Sequence, residues 1–412
     1  MSETNSQNPQ TETDVFIAEH AHRNRAYEGN NDIIKAAVPK DVEEIGGLAF
    51  AKCHRLESIE LHGNARLIGA YTFYDCISLK SVEIPSCTVD IYEGTFKDCT
   101  GLTSVRIPDS VTDIGNFAFN NCCSLANIEL PPRLNYIGAE AFSQCSKLTR
   151  ISIPGSVGLI DLCAFKDCGA LTDITIREGV GAIQANAFTG CSSLKNIDLP
   201  DSVTRIGVSA FRSCKELTGV RLPNNLTVVA DYLFCLCTGL KSVIIPDSVT
   251  KIGNHAFFNC SALESVNIPE GAAEIGPDAF EHCLSLTEIC IPGSVSKISN
   301  YSFFGCINLK SVTIQNGPAE IGAGAFGECG ALTEITVPDS VVKIGEEAFC
   351  ECSSLTSVTL PDGIAEIDED AFLGCDNLKT IKFRGESYAD ADGFFKAFNS
   401  LRNSSAAAAE QK

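Results

Sequence analysis

Apolar residues fall along this chain in a pattern that repeats every 23 positions without an insertion or deletion. An Ile register runs from Ile45 to Ile367, broken only by Val229. Five residues later every unit has Phe, from Phe50 to Phe372. Three further comes Cys, from Cys53 to Cys375, and three after that Leu, from Leu56 to Leu378. Each unit closes on two apolar residues flanking a third, as Val105 and Ile107 flank Arg106, usually followed by Pro. A typical unit, residues 114 to 136, reads IGNFAFNNCCSLANIELPPRLNY. Chance does not hold five registers in phase over fifteen units.

The spacing assigns elements. The alternating close of each unit has the period of a half-buried strand. Pro108, Pro154, Pro200 and Pro246 end such strands, because Pro lacks the donor a ladder needs. Ala118, Phe119, Cys122 and Leu125 stand three or four apart, a helical spacing. That segment predicts one or two turns of α or 3-10 helix per unit. The Gly after Ile suits a turn that needs positive φ. One unit cannot bury its own apolar side, so units stack, Phe on Phe and Leu on Leu. The expected fold is an α/β solenoid: a curved rod with a parallel sheet on its concave face and a short helix or 3-10 turn on its convex face. At roughly 4.8 Å per strand the sheet would run about 70 Å.

The pattern decays at both ends. Tyr27 and Asn30 stand in the Phe and Cys registers of a partial unit completed by Ile33, Ala36, Val38 and Pro39. Phe395, Phe398 and Leu401 hold the Phe, Cys and Leu registers, but Asp390 takes the Ile position. Terminal units need a polar outer face, so these read as caps. The resulting division is a tail and N-terminal cap over 1–26, the array (one partial and fifteen full units) over 27–383, a C-terminal cap over 384–402, and a tail from 403. Residues 1 to about 13 and the tail are expected to be disordered.

The formal net charge is -21, from 52 acidic and 31 basic residues, which disfavours nucleic acid and anionic membrane as partners. No apolar run is long enough to insert in a membrane, and the polar N-terminus lacks the features of a signal peptide. Those features predict a cytoplasmic or non-classically exported protein.

The unit IGxxAFxxCxxLxxVxIPxSVxx is similar to the BspA-like leucine-rich repeat, a bacterial and protist family, over residues 27 to about 383. The resemblance implies a leucine-rich-repeat rod. It also implies a surface or secreted protein that binds host proteins or other cells, and so a non-catalytic, adhesin-like scaffold at the cell surface.

Of 21 cysteines, fifteen form the repeat register. Asn30 in that register supports a structural role, and parallel Cβ vectors disfavour bridging between coils, so buried reduced thiols are expected. Cys87, Cys123, Cys163, Cys235, Cys290 and Cys350 lie outside it, no two in adjacent units. No zinc spacing, P-loop, GxSxG or HExxH occurs. His255 and His282 sit in adjacent units at different heights and read as surface histidines. No metal, no cofactor and no catalysis are expected.

Binding is better supported. The residue between the two inward strand positions faces solvent. Along the array this stripe includes Glu60, Glu83, Arg106, Glu129, Asp198, Arg221, Ile244 and Cys290 as candidate contacts, then a run of Thr from Thr313 to Thr359. No aromatic interrupts it, which argues against sugar stacking. The leading expectation is a monomer that binds a protein through its concave face. The competing readings are an intracellular or exported effector using that same face, and a structural spacer.

Overall fold

The computed structural model describes residues 14–409, with side chains as far as Arg402. Residues 1–13, expected to be disordered, lie outside that range. Two compact units divide the chain at Leu217 and Thr218.

In the first unit the closing triplets form long strands in a parallel ladder: Lys35–Val38, Ser58–Leu61, Ser81–Glu83 and Ser104–Arg106, and then Arg150–Ile153, Asp173–Ile176 and Asn196–Asp198. Partners are one repeat apart, as Arg150 with Asp173 and Ile151 with Ile174. Phe16–Ile17 pairs parallel to Lys35–Val38 and covers the first edge. The same construction recurs in the second unit, from Gly219–Arg221 to Thr380–Phe383, with the ladder interrupted between Ser265–Val266 and Glu288–Ile291 and again between Ser311–Ile314 and Glu334–Thr336. There the antiparallel Glu386–Tyr388 closes the last edge. The helix Ala391–Ala409 follows, so its backbone runs through residues 403–409 of the segment read from sequence as a tail.

A second parallel ladder is built on the Ile register, in two-residue strands such as Tyr136–Ile137 and Leu159–Ile160. The spacing alone predicts only a turn there. Ile137 and Ile160 are fully buried, so this ladder walls the core opposite the Leu and Phe registers. The Gly that follows Ile is not in the left-handed region, contrary to the expectation of positive φ. What it provides is space: a Cβ on Gly138 would come 2.6 Å from the backbone N of Asn116, in the preceding coil.

Between the ladders the chain forms turns and no helix, so of the two forms expected it takes the turn. The backbone shows why. Ala49, Ala51 and Cys53 donate three residues back, to Gly46, Leu48 and Phe50. Alternating with them, Leu48, Phe50 and Lys52 donate to Ala70, Thr72 and Tyr74 of the next coil. Leu48 and Lys52 are both left-handed, with φ of 59°. Two such residues per coil break an α-helix, and half of the donors are spent on joining coils.

The core is a stack of identical side chains. Phe119, Phe142 and Phe165 lie 5.2 Å apart ring to ring and within 7° of parallel. Each is fully buried, worth about 1.5–3 kcal/mol before chain entropy is charged. At the far end Phe395 tilts onto Phe372 at 6.4 Å and caps the stack. The register thiols are buried too, and they donate to the carbonyl of the ring residue one coil earlier, as Cys53 to Tyr27 (3.1 Å), Cys76 to Phe50 (3.0 Å) and Cys145 to Phe119 (3.2 Å). Burial pushes the Cys168 thiol up to about 12 and holds it neutral.

Candidate functional site

On the long-strand face all eight candidate residues are exposed. In the first unit Glu60, Glu83 and Arg106 project from adjacent strands, and Asp198 from the last. Arg106 pairs with Glu83 at 2.9 Å, a contact so exposed that it contributes little stability. In the second unit Arg221, Ile244 and Cys290 project likewise, Ile244 at 62% exposure. Asn267, between the last two, turns its amide back onto the Ile245 backbone, donating at 3.0 Å and accepting at 3.3 Å. The apolar break from Ile244 to Cys290 is therefore bridged by a satisfied polar group.

Glu129 departs from its expected place in a strand. Asn127 to Leu130 make only an isolated bridge, Asn127 to Arg150. The coils on either side are tied by bonds such as Thr103 N–H to Lys80 and Thr149 N–H to Ala126. Among the described residues none ties Ser104–Arg106 to 127–130. The ladder opens there into a depression of about 820 Å³, lined by Ile84, Val105, Arg106, Ile107, Asp109 and Glu129 among others. A second, of about 470 Å³, shares Ile128 and Glu129 and reaches Arg150, Asp173 and Arg177. Glu83, Arg106 and Glu129 are thus brought together, while Glu60 and Asp198 stand outside the opening. The stripe pattern missed Arg150, Asp173 and Arg177, which lie at or just beyond strand ends.

The short-strand face has its own electrostatic order. The residue before the register Ile alternates over six coils of the second unit, pairing Lys251 with Glu274 (2.9 Å), Lys297 with Glu320 (3.0 Å) and Lys343 with Glu366 (3.4 Å). Cross-strand pairs of this kind support sheet pairing. Their signal was present in the residue preceding each Ile.

His255 and His282, expected as isolated surface residues, share one cluster on the turn side of the second unit. His255 lies 3.4 Å from Asp278, and His282 lies 3.3 Å from Glu281. Tyr232 stacks on His255 at 4.6 Å. Burial first, and then the hydrogen bond and charge of Asp278, push the Glu281 carboxyl from 4.5 up to about 7. Because the folded value exceeds the unfolded one, the protonated carboxyl stabilises this unit. That contribution is complete below pH 4.5 and is lost as pH rises through about 7. Glu281→Gln keeps a donor for Asp278 and has no proton to lose. Its melting temperature is expected to match the parent at pH 4.5, to exceed it increasingly up to about pH 7, and to keep a constant lead above that. A difference that stays constant between those two pH values would contradict the assignment.

Among the described residues no group of three or more His, Cys, Asp or Glu is placed to hold a metal ion, and no helix is long and apolar enough to cross a membrane.

Stacked 23-residue coils with a parallel ladder on the LxxVxI segment define a leucine-rich-repeat solenoid. The chain belongs to the BspA-type leucine-rich-repeat family: the model of the BspA type leucine rich repeat region matches six overlapping stretches, from residues 23–149 to 273–402. Among solved structures, a leucine-rich repeat protein from Bacteroides ovatus is 29% identical, covering 84% of this chain and 85% of its own, with a TM-score of 0.68. A leucine rich cell surface protein from Faecalibacterium prausnitzii is 23% identical over 88% of this chain and 82% of its own, at a TM-score of 0.40. The pneumococcal vaccine antigen PcpA is 21% identical over 75% and 78%, at 0.46. No curated protein matches the chain.

Proposed function

We propose that this protein is a non-catalytic scaffold that binds a protein partner through its long-strand face, in the manner of a surface-interaction or adhesin-like protein. The observation that carries this reading is the contrast between the two sides of the long strands. The register Phe and Leu beneath them are buried, whereas all eight candidate residues of the outward stripe are exposed. Repeat solenoids commonly employ such a surface for recognition. Membership of a family of typically non-catalytic scaffolds supports the reading.

The test is a comparison of proteins co-purified from the source cell by the parent and by the triple variant Glu60→Lys, Glu83→Lys, Glu129→Lys. The expected result is loss of a specific partner and slower association at low salt, with an unchanged melting curve. Equal recovery by both would remove the long-strand face from the proposal. A C-terminal tag probed on intact and permeabilised cells separates a cell-surface partner from an internal one.

A further inference from the structure

The opening at 127–130 is more specific than the face that contains it. In the second inward register Ile84, Ile153, Ile176 and Leu199 are buried, at 3%, 0%, 6% and 0% exposure. Ile107 and Leu130, on either side of the opening, are only half-buried. Apolar side chains that the two flanking coils cover, at Ile84 and Ile153, are therefore left accessible in a concavity of about 820 Å³, which the half-buried Leu61 also lines. Their rim is charged unevenly. Glu83 and Arg106 neutralise each other, but Asp109 and Glu129 have no cation within ion-pair distance among the described residues. Glu83, Asp109 and Glu129 line the first depression against Arg106 alone, whereas Glu129 and Asp173 line the second against Arg150 and Arg177, so the net negative rim belongs to the first.

We propose that this opening docks an extended segment of a partner protein in which an aliphatic or aromatic side chain stands beside a lysine or arginine. The apolar side chain fills the gap against Ile84, Ile107 and Ile128, while the cation meets Asp109 and Glu129. The proposal rests on the long-strand face being a binding face, and it commits that face to one place and one chemistry. Charge supports the cation, since the whole chain carries -21. Backbone supports an extended occupant, because the edges of the opening present peptide groups that no neighbouring strand engages.

Two fluorescein-labelled short peptides test it by anisotropy at low salt, one with a Leu-Phe core flanked by lysines and its twin flanked by glutamates. The basic peptide is expected to bind at least about tenfold more tightly than its twin. Asp109→Lys with Glu129→Lys is expected to reverse that order, and Ile107→Asp to weaken both peptides. Should Ile107→Asp misfold, the charge-reversed double variant alone decides, because both of its sites are exposed. Equal binding of the twins, no binding of either, or an order unchanged by charge reversal overturns the proposal. Binding that responds to Asp198→Lys but not to Asp109 and Glu129 overturns it while leaving the long-strand face a binding face. A partner recovered from cells and lost on stripe reversal, with neither peptide bound, likewise overturns the docking site and leaves the face intact.

Discussion

Phe142→Ala is expected to destabilise the first unit by about 3–5 kcal/mol, the cost of removing a buried aromatic ring whose surroundings relax incompletely. The ring is fully buried, between Phe119 and Phe165 at 5.2 Å on each side. Those neighbours cannot close the gap by moving together. Each is tied through its backbone N–H, Phe119 to Ala141 and Phe165 to Ala187, and the coil spacing is held by the short-strand ladder that pairs Ile137 with Ile114 and Ile160. Offset stacking between the rings is lost as well, which adds to the area term. Glu83→Ala is the matched control, expected to change stability by less than about 0.5 kcal/mol because its contact is exposed. Chemical denaturation of the two variants measures both values. A Phe142→Ala loss below about 1 kcal/mol would show that the stack is not what holds neighbouring coils together.

The parts of this fold that were legible in the sequence are those where one side chain does the same thing in every coil. Phe50 to Phe372 read as a stacked core because nothing else explains a ring every 23 residues, and Cys53 to Cys375 read as buried thiols for the same reason. Helix and turn were harder to separate, since Ala118, Phe119, Cys122 and Leu125 suit either. The deciding signal lay one residue before Cys, where Asp75, Asp98, Asn121, Asp167 and Asn259 tolerate the left-handed conformation they adopt. The second ladder was hidden because its strands are two residues long, too short for periodicity to reveal. The Gly after Ile marked a real constraint of a different kind, close approach between coils, which no local rule distinguishes from a turn. As for the candidate site, the stripe correctly named Glu83, Arg106 and Glu129 as outward residues, but a strict repeat predicts a continuous ladder. An interruption at 127–130 arises from pairing between coils, and the unit that contains it, with its double Pro131–Pro132, differs from its neighbours by a single small departure.

Removing residues 160–182, one whole repeat, is expected to leave a folded and shorter first unit. The cut joins Leu159 to Ile183, so Phe188 takes the place of Phe165 above Phe142 and Cys191 inherits the bond that Cys168 makes to Phe142. Ile183 likewise moves into the short-strand ladder beside the shortened coil. Each coil touches only its neighbours, so the loss is one intrinsic coil and one interface. Removing only 160–171 is expected to behave very differently. The eleven residues left behind carry Ile174, Ile176 and Val180, all buried in the parent, but lack the Phe, Cys and Leu of a coil. They either leave the stack and expose those three side chains, at about 1.5–3 kcal/mol each, or stay and put 23-residue partners out of register. Circular dichroism melts and amide exchange distinguish the outcomes. The whole-repeat deletion should keep a single cooperative transition, with protected amides on both sides of the cut. The half-repeat deletion should lose protection from 137 onwards in the coils that flank it. Equal melting curves for the two would mean that 23 residues is a sequence period and not the unit of structure.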